Sequence, residues 1–163
     1  HSKAGEFVYD HPFQWGSKRT GPDLHRVGGK YPHLWHVRHM EDPRSTTPGS
    51  LMTAYPTLLD TALDASEIQA KMTAMRIVGV PYTDGDIENA AASVRSQAEA
   101  IAKEVYSQQG PEGLADKEIS ALTAYLQRLG TDIKWRPAPP TPLTVPTLTT
   151  GAPPTASGTA GGN

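Results

Sequence analysis

From Ile87 to Val105 the apolar residues Ile87, Ala91, Val94, Ala98, Ile101 and Val105 recur by alternating steps of four and three, with charged and amide side chains between them. Such a series falls on one side of an α-helix, and the stripe it makes is narrow, the width of a seam against another helix. Thr83 or Asp84 is placed to start this helix and Gly110-Pro111 to close it. A second series, Ile119, Leu122, Leu126 and Leu129, predicts a helix capped at Asp116 and ended by Gly130 in a left-handed conformation. A third predicted helix precedes both. Asp64 and Glu67 have the spacing of a capping box, Ile68, Met72 and Met75 share a face, and Gly79-Val80-Pro81 ends it. The expected fold class is all-α.

The block from His1 to Pro56 is different in kind. It holds all six histidines and many Gly and Pro residues, which describes a loop-rich wall with short helical pieces, the part of the chain where chemistry would sit. Pro32 to Met40 predicts a short helix, with Pro32 tolerated in its first turn and Pro43 forbidding continuation past Asp42. Pro43, Pro48 and Pro56, with Gly49 among them, force an irregular strap whose one large soft side chain is Met52. At the other end no charged residue follows Arg136, and Pro, Thr, Gly, Ala and Ser dominate to Asn163. That composition cannot fill a core. The expected organisation is therefore one domain over 1–135, carrying a helical extension over about 60–113, and a disordered tail over 136–163.

Composition removes several function classes. A formal charge of -2, a pI near 6.3 and the lack of a basic stripe give no footprint for nucleic acid or for an anionic membrane surface. No apolar run approaches the roughly 18 residues of a membrane span, and the first residues show neither a signal-peptide pattern nor an initiating Met. The chain is expected to start inside a longer protein. With no cysteine there is no disulfide, thiolate metal site or cysteine nucleophile within these residues. Neither Gly-x-Ser-x-Gly nor His-Glu-x-x-His occurs, which argues against a hydrolase.

Two features of the first block invite a chemical reading. His33, His36 and His39 stand at steps of three, so that either 33 with 36 or 36 with 39 could share a helix face and clip a Zn or Cu ion. No carboxylate or Cys joins them at a ligand spacing, and surface or pocket-rim histidines are the expectation. Met52 taken alone reads as a gap filler, Gly21-Pro22-x-Leu24 as an ordinary turn, and Leu122-x-x-Tyr125-Leu126-x-x-Leu129-Gly130 as an amphipathic helix with a glycine cap. Their order along one chain is more specific than any one of them.

That order, a Gly-Pro-x-Leu turn, a short helix, a loop Met before Tyr55-Pro56 and a last helix with Tyr125-Leu126, resembles a class I cytochrome c downstream of its haem-attachment motif. Longer stretches sharpen the resemblance. Ala4 to Leu24, then Asp42-Pro43-Arg44, Met52-Thr53-Ala54-Tyr55-Pro56 and Gly79-Val80-Pro81-Tyr82, resemble the monohaem cytochrome c subunit, subunit II, of the cbb3-type haem-copper oxidases, over about four fifths of the chain to Gly130.

The resemblance implies a cytochrome c-like domain lacking its first helix and its Cys-x-x-Cys-His motif. It implies an electron carrier that does no bond chemistry itself, on the periplasmic side of the bacterial inner membrane, tethered only through an N-terminal anchor upstream of His1. The implied partners are the oxygen-reducing catalytic subunit and the dihaem cytochrome c subunit of the oxidase. Matched by position, Met52 resembles the distal axial ligand of the haem iron, and Gly21 and Pro22 resemble the turn packed beside the proximal imidazole, with Leu24 following them. Trp35, Arg38 and Tyr55, with the region of Trp15, are the implied partners of the haem edge and propionates, since indole, guanidinium and phenol donors match carboxylates. The implied cofactor of the full-length protein is haem c. This chain, without the two thioethers and the proximal His, is expected to bind none. Thr53 departs from the family, which has Pro after the ligating Met, and allows a looser loop. The alternative is a haemless binding or assembly module of a respiratory complex, docking through the seam from Ile87 to Val105.

Overall fold

The computed structural model describes residues 20–131, and these are helical: among them no strand forms, and one isolated bridge joins Ala62 to Lys117. The helices are α1 (His33–Glu41), α2 (Pro43–Thr46), α3 (Ile68–Ile77), α4 (Asp84–Glu88), α5 (Ala90–Ser107) and α6 (Glu118–Arg128), with a 3-10 turn over Pro56–Leu59. The all-α expectation holds. The expected tail, the boundary at 135 and Trp15 lie outside the described residues.

Helix α1 begins after Pro32 and stops where Asp42 turns extended ahead of Pro43, as the steric demand of a proline on its predecessor requires. The strap expected from Pro43 onward starts differently. Pro43 opens a turn of helix, α2, because proline suits the first helical position and the Asp42 carboxylate accepts the Arg44 N–H at 3.1 Å.

The middle helices correct two further expectations. Asp64 does not cap α3: its Oδ1 accepts the Ser66 N–H at 2.8 Å in a local turn, and the helix starts only at Ile68, after Glu67. None of its residues is buried. The long helix expected from Thr83 is broken once. Thr83 and Asp86 form a reciprocal capping box for α4, and at Asn89 the ladder is interrupted before α5, with the Asn89 Nδ2 donating to the Gly85 carbonyl at 2.9 Å. Short polar side chains compete for helix carbonyls in this way.

The seam itself is where the periodicity puts it. Ala98, Ile101 and Val105 are buried, and Ile87, Ala91 and Val94 half-buried. Ile101 and Val105 join Val37, Leu114 and Ile119 in one core, with Leu34, Met40, Leu58 and Leu59 packed on it. This half of the seam is thus occupied by the domain's own α1 and α6. Each fully buried Val or Ile contributes about 1.5–3 kcal/mol, so this small cluster carries much of the hydrophobic stability.

Helix α6 differs from its sequence reading at both its cap and its face. Asp116 supplies no side-chain cap; its carbonyl accepts Leu63 N–H at 2.7 Å, and Glu118 N–H donates instead to the Thr61 carbonyl at 3.1 Å. A neighbouring chain segment satisfies the helix start. The buried face is Ile119, Ser120, Thr123 and Leu126, while Leu122 and Leu129 are half-buried. Gly130 is left-handed as expected, with φ +78, and it sits where a Cβ would press on the His25 carbonyl and the Arg26 backbone.

Candidate functional site

Helix α1 is the spine of the site, and its two ends hold different residue groups. Nine residues make it about 13 Å long. Gly21, Pro22 and Leu24 precede its N-terminal end, while the strap bearing Met52 and Tyr55 returns to its C-terminal end, where Tyr55 N–H donates to the Met40 carbonyl at 2.7 Å.

The strap is shaped by short local bonds. Ser50 N–H donates to the Thr47 carbonyl at 3.1 Å, Gly49 supplies the left-handed turn at φ +80, and Ser50 Oγ accepts Met52 N–H at 3.2 Å. Met52 is half-buried between Leu51, which is 98% exposed, and the exposed Thr53. Tyr55 is exposed as well. Chain ahead of α1 is also open: Gly21 and Pro22 are exposed, no described atom crowds a Cβ built at Gly21, and Leu24 is 39% exposed. Leu24, Leu51 and Tyr55 therefore present apolar surface to solvent.

Along α1 a column of rings forms. Tyr31 stacks on Trp35 with centroids 4.0 Å apart and planes 14° apart, and Trp35 stacks in turn on His39 at 4.5 Å and 11°. Trp35 and His39, four apart on α1, face one another, and Tyr31 extends the column from just ahead of the helix. Lys30 Nζ lies 5.4 Å from the Tyr31 ring centre, and His39 Nδ1 lies 2.6 Å from Thr46 Oγ1, tying α1 to α2. Trp35 is half-buried in this column; Arg38 points from an exposed position.

The histidines correct the expectation of surface or rim positions. His36 is 2% exposed. Burial first, and then the neighbouring His33 and His39, hold its imidazole below the ordinary histidine pKa, and burial does the same to His39. His33 Nδ1 lies 2.7 Å from Glu104 Oε1 on α5, off the line of a directed hydrogen bond, so the contact is electrostatic. Among the described residues no three His, Cys, Asp or Glu side chains gather as metal ligands. His25, 4% exposed, is a second buried histidine that sequence reasoning passed over; the Asp23 carboxylate takes its N–H at 2.9 Å and lies 3.3 Å from its Nδ1. The Asp-x-His spacing was the available signal.

Of the residues singled out, Tyr55 is tied to the C-terminal end of α1 through the Met40 carbonyl, Met52 stands three residues before it on the strap, and Trp35 and Arg38 lie on α1 itself. A cavity of about 600 Å³, lined by Leu63, Ile68, Gln69, Val94, Glu99 and Asp116 among others, lies elsewhere, between α3 and α5. The donor chemistry here is the Met52 thioether with the N–H and O–H donors of Trp35, Arg38 and Tyr55, group types that a haem can use. It does not suit covalent attachment, since the 163 residues hold no thiol. No helix among the described residues is long and apolar enough to cross a membrane.

Comparison with known proteins gives one family. The sequence model of a family described as FixO, cytochrome C oxidase, mono-heme subunit, matches residues 1–133. No curated protein matches the chain.

Proposed function

Because the chain belongs to the family of cytochrome c oxidase mono-haem subunits, we propose that it is the electron-relay domain of a cbb3-type oxidase, facing the periplasm and passing electrons towards the oxygen-reducing catalytic subunit. The observation that carries this reading is the family match over residues 1–133, which includes the whole strap around Met52. Its neighbours in the assembly are the catalytic subunit and the dihaem cytochrome c subunit.

Haem c, when bound, supplies one-electron redox chemistry, and the protein's share is binding, orientation and tuning. Met52 would hold the iron through its thioether, a ligand type that stabilises ferrous iron and raises the reduction potential relative to a second imidazole. The bond from Tyr55 N–H to the Met40 carbonyl fixes the strap against α1 and so limits how far the sulfur can swing. Gly21 and Pro22 would let the backbone pass close to the haem, and Leu24 would add apolar cover. Trp35, Arg38 and Tyr55 offer N–H and O–H donors to the propionates. Thr53 leaves the strap looser than proline would.

The test uses the entire reading frame, with the codons upstream of His1, expressed in a bacterium that attaches haem c. The upstream codons are expected to encode Cys-x-x-Cys-His after one membrane span. Replacing Met52 with Ala should abolish the near-infrared band of Met-ligated ferric haem and lower the reduction potential, with far-UV circular dichroism unchanged. An unaltered band in Met52→Ala would refute the ligand assignment, and an upstream frame without the attachment motif would refute the relay.

A further inference from the structure

Trp35 is the middle ring of the column along α1. Tyr31, four positions before it, stacks on the indole with centroids 4.0 Å and planes 14° apart, and His39, four positions after it, stacks with centroids 4.5 Å and planes 11° apart. The Tyr31 contact is closer than the roughly 4.5–7 Å usual between aromatic centroids. Near-parallel rings at that distance are in face-to-face π contact. His36 meets the same indole edge-on, at 5.4 Å and 88°.

The charges around the column are uneven. Burial holds the imidazoles of His36 and His39 below the ordinary histidine pKa, so at neutral pH the two histidines touching Trp35 add no positive charge beside it. The Lys30 ammonium lies 5.4 Å from the Tyr31 ring centre. A cation at that range opposes a second positive charge on the phenol, so Tyr31 yields an electron only together with its hydroxyl proton. Tyr31 and Trp35 are both half-buried, with part of each side chain in reach of water.

From this geometry we propose that Trp35 and Tyr31 form a one-electron relay, which carries an oxidising equivalent taken up at the indole across the stack to the phenol. An oxyl radical, the class of oxidant that arises where oxygen is reduced, accepts one electron from Trp35. The indole releases its Nε1 proton to water and becomes the neutral indolyl radical. Tyr31 then passes one electron to Trp35 and its hydroxyl proton to water, while Trp35 regains a proton at Nε1. In sum, one electron moves from Tyr31 to the oxidant, one proton moves from the phenol to water, and the indole is restored. The relay is a property of the rings alone and stands whether or not Met52 ligates an iron.

Pulse radiolysis of the full 163-residue chain at neutral pH, with azide radical as the indole-selective oxidant, tests the relay. The indolyl radical is expected to form first and then to decay in a first-order phase, at a rate independent of protein concentration, as the phenoxyl radical grows. Tyr31→Phe keeps a ring in the stack but removes the oxidisable phenol, and it should abolish this phase while the near-UV circular dichroism is retained. Tyr125→Phe, at a position on α6 that is 60% exposed and outside the column, should leave the phase intact. Trp35→Phe should also abolish it, although Trp15 and Trp135 still form indolyl radicals. A phase that survives Tyr31→Phe overturns the proposal, as does one lost in Tyr125→Phe or one whose rate rises with protein concentration. If Trp35→Phe does not fold, the unmodified protein and Tyr31→Phe still decide.

Discussion

Gly28 and Leu129 join the start of the described chain to its end: the Gly28 N–H donates to the Leu129 carbonyl at 2.9 Å, and a Cβ at Gly28 would fall on the carbonyl oxygens of Gln127 and Leu129. Gln127 reinforces the junction, accepting Gly29 N–H at 2.9 Å and donating to the Tyr31 carbonyl. The loop that leads from Leu24 into α1 is thereby held against the end of α6.

Gly28→Ala is expected to destabilise the fold by about 1–3 kcal/mol, since the obstructing atoms are backbone and cannot rotate away. Urea unfolding followed by circular dichroism measures this. An unchanged midpoint would mean that the junction opens without cost.

Ile119 is fully buried at the centre of the core. Ile119→Ala should cost about 2–5 kcal/mol, the range for deleting a buried branched side chain and leaving a cavity. Met75→Ala on α3, at a position 38% exposed, should change stability far less. Thermal melts of the two variants side by side make the comparison.

Stability is expected to fall as pH is lowered through the histidine range. Burial holds the His36 and His39 imidazoles neutral, with pKa values below 6.5 in the fold. Between those depressed values and 6.5 the unfolded chain binds more protons than the folded one, so the stabilising contribution is complete above the unfolded value and is lost on acidification. Urea midpoints measured from about pH 8 down to about pH 5 should decline, and His36→Gln should flatten the decline. Asp86, held below the usual carboxyl value by its hydrogen bonds from the Thr83 side chain and backbone, acts at lower pH and outside this window.

Thr83→Ala removes the hydroxyl that accepts Asp86 N–H at 3.2 Å and donates to the Asp86 carboxylate. Loss of such a cap costs about 1 kcal/mol, felt first in α4, whose residues are all unburied. Hydrogen exchange should quicken at the amides of Asp86 and Ile87 while α6 keeps its protection.

How much of this was legible in the residues varies by element. The steps of four and three from Ile87 to Val105 located the α5 seam because side-chain direction in a helix follows the chain period alone. Pro43 and Gly130 likewise announced where α1 and α6 end. Asp64 and Asp116 differ from their sequence reading for a shared reason: a carboxylate near a helix start caps only if no other partner is closer, and the Ser66 N–H claims Asp64, while the Thr61 carbonyl already serves the start of α6. Leu122 yields its expected place in the core to Ser120 and Thr123, since helix rotation is set by what the neighbours fill. For the site, the strap around Met52 and its prolines were visible in the sequence, but the ring column and the burial of His36 were not.

The sequence by itself determined that the chain is helical, that Met52 rides a proline-bounded strap, and that no thiol exists in these residues to hold a haem. Those are local or compositional matters, decided by backbone period, proline sterics and side-chain chemistry. Only the tertiary structure decided that His36 is buried with its ring nearly perpendicular to those of Tyr31 and Trp35, that His33 meets Glu104 across 71 positions of chain, and that Gly28 rests on the end of α6. Such contacts arise because helices packing at close range fix each other's rotation, a property of neighbours that no single segment carries.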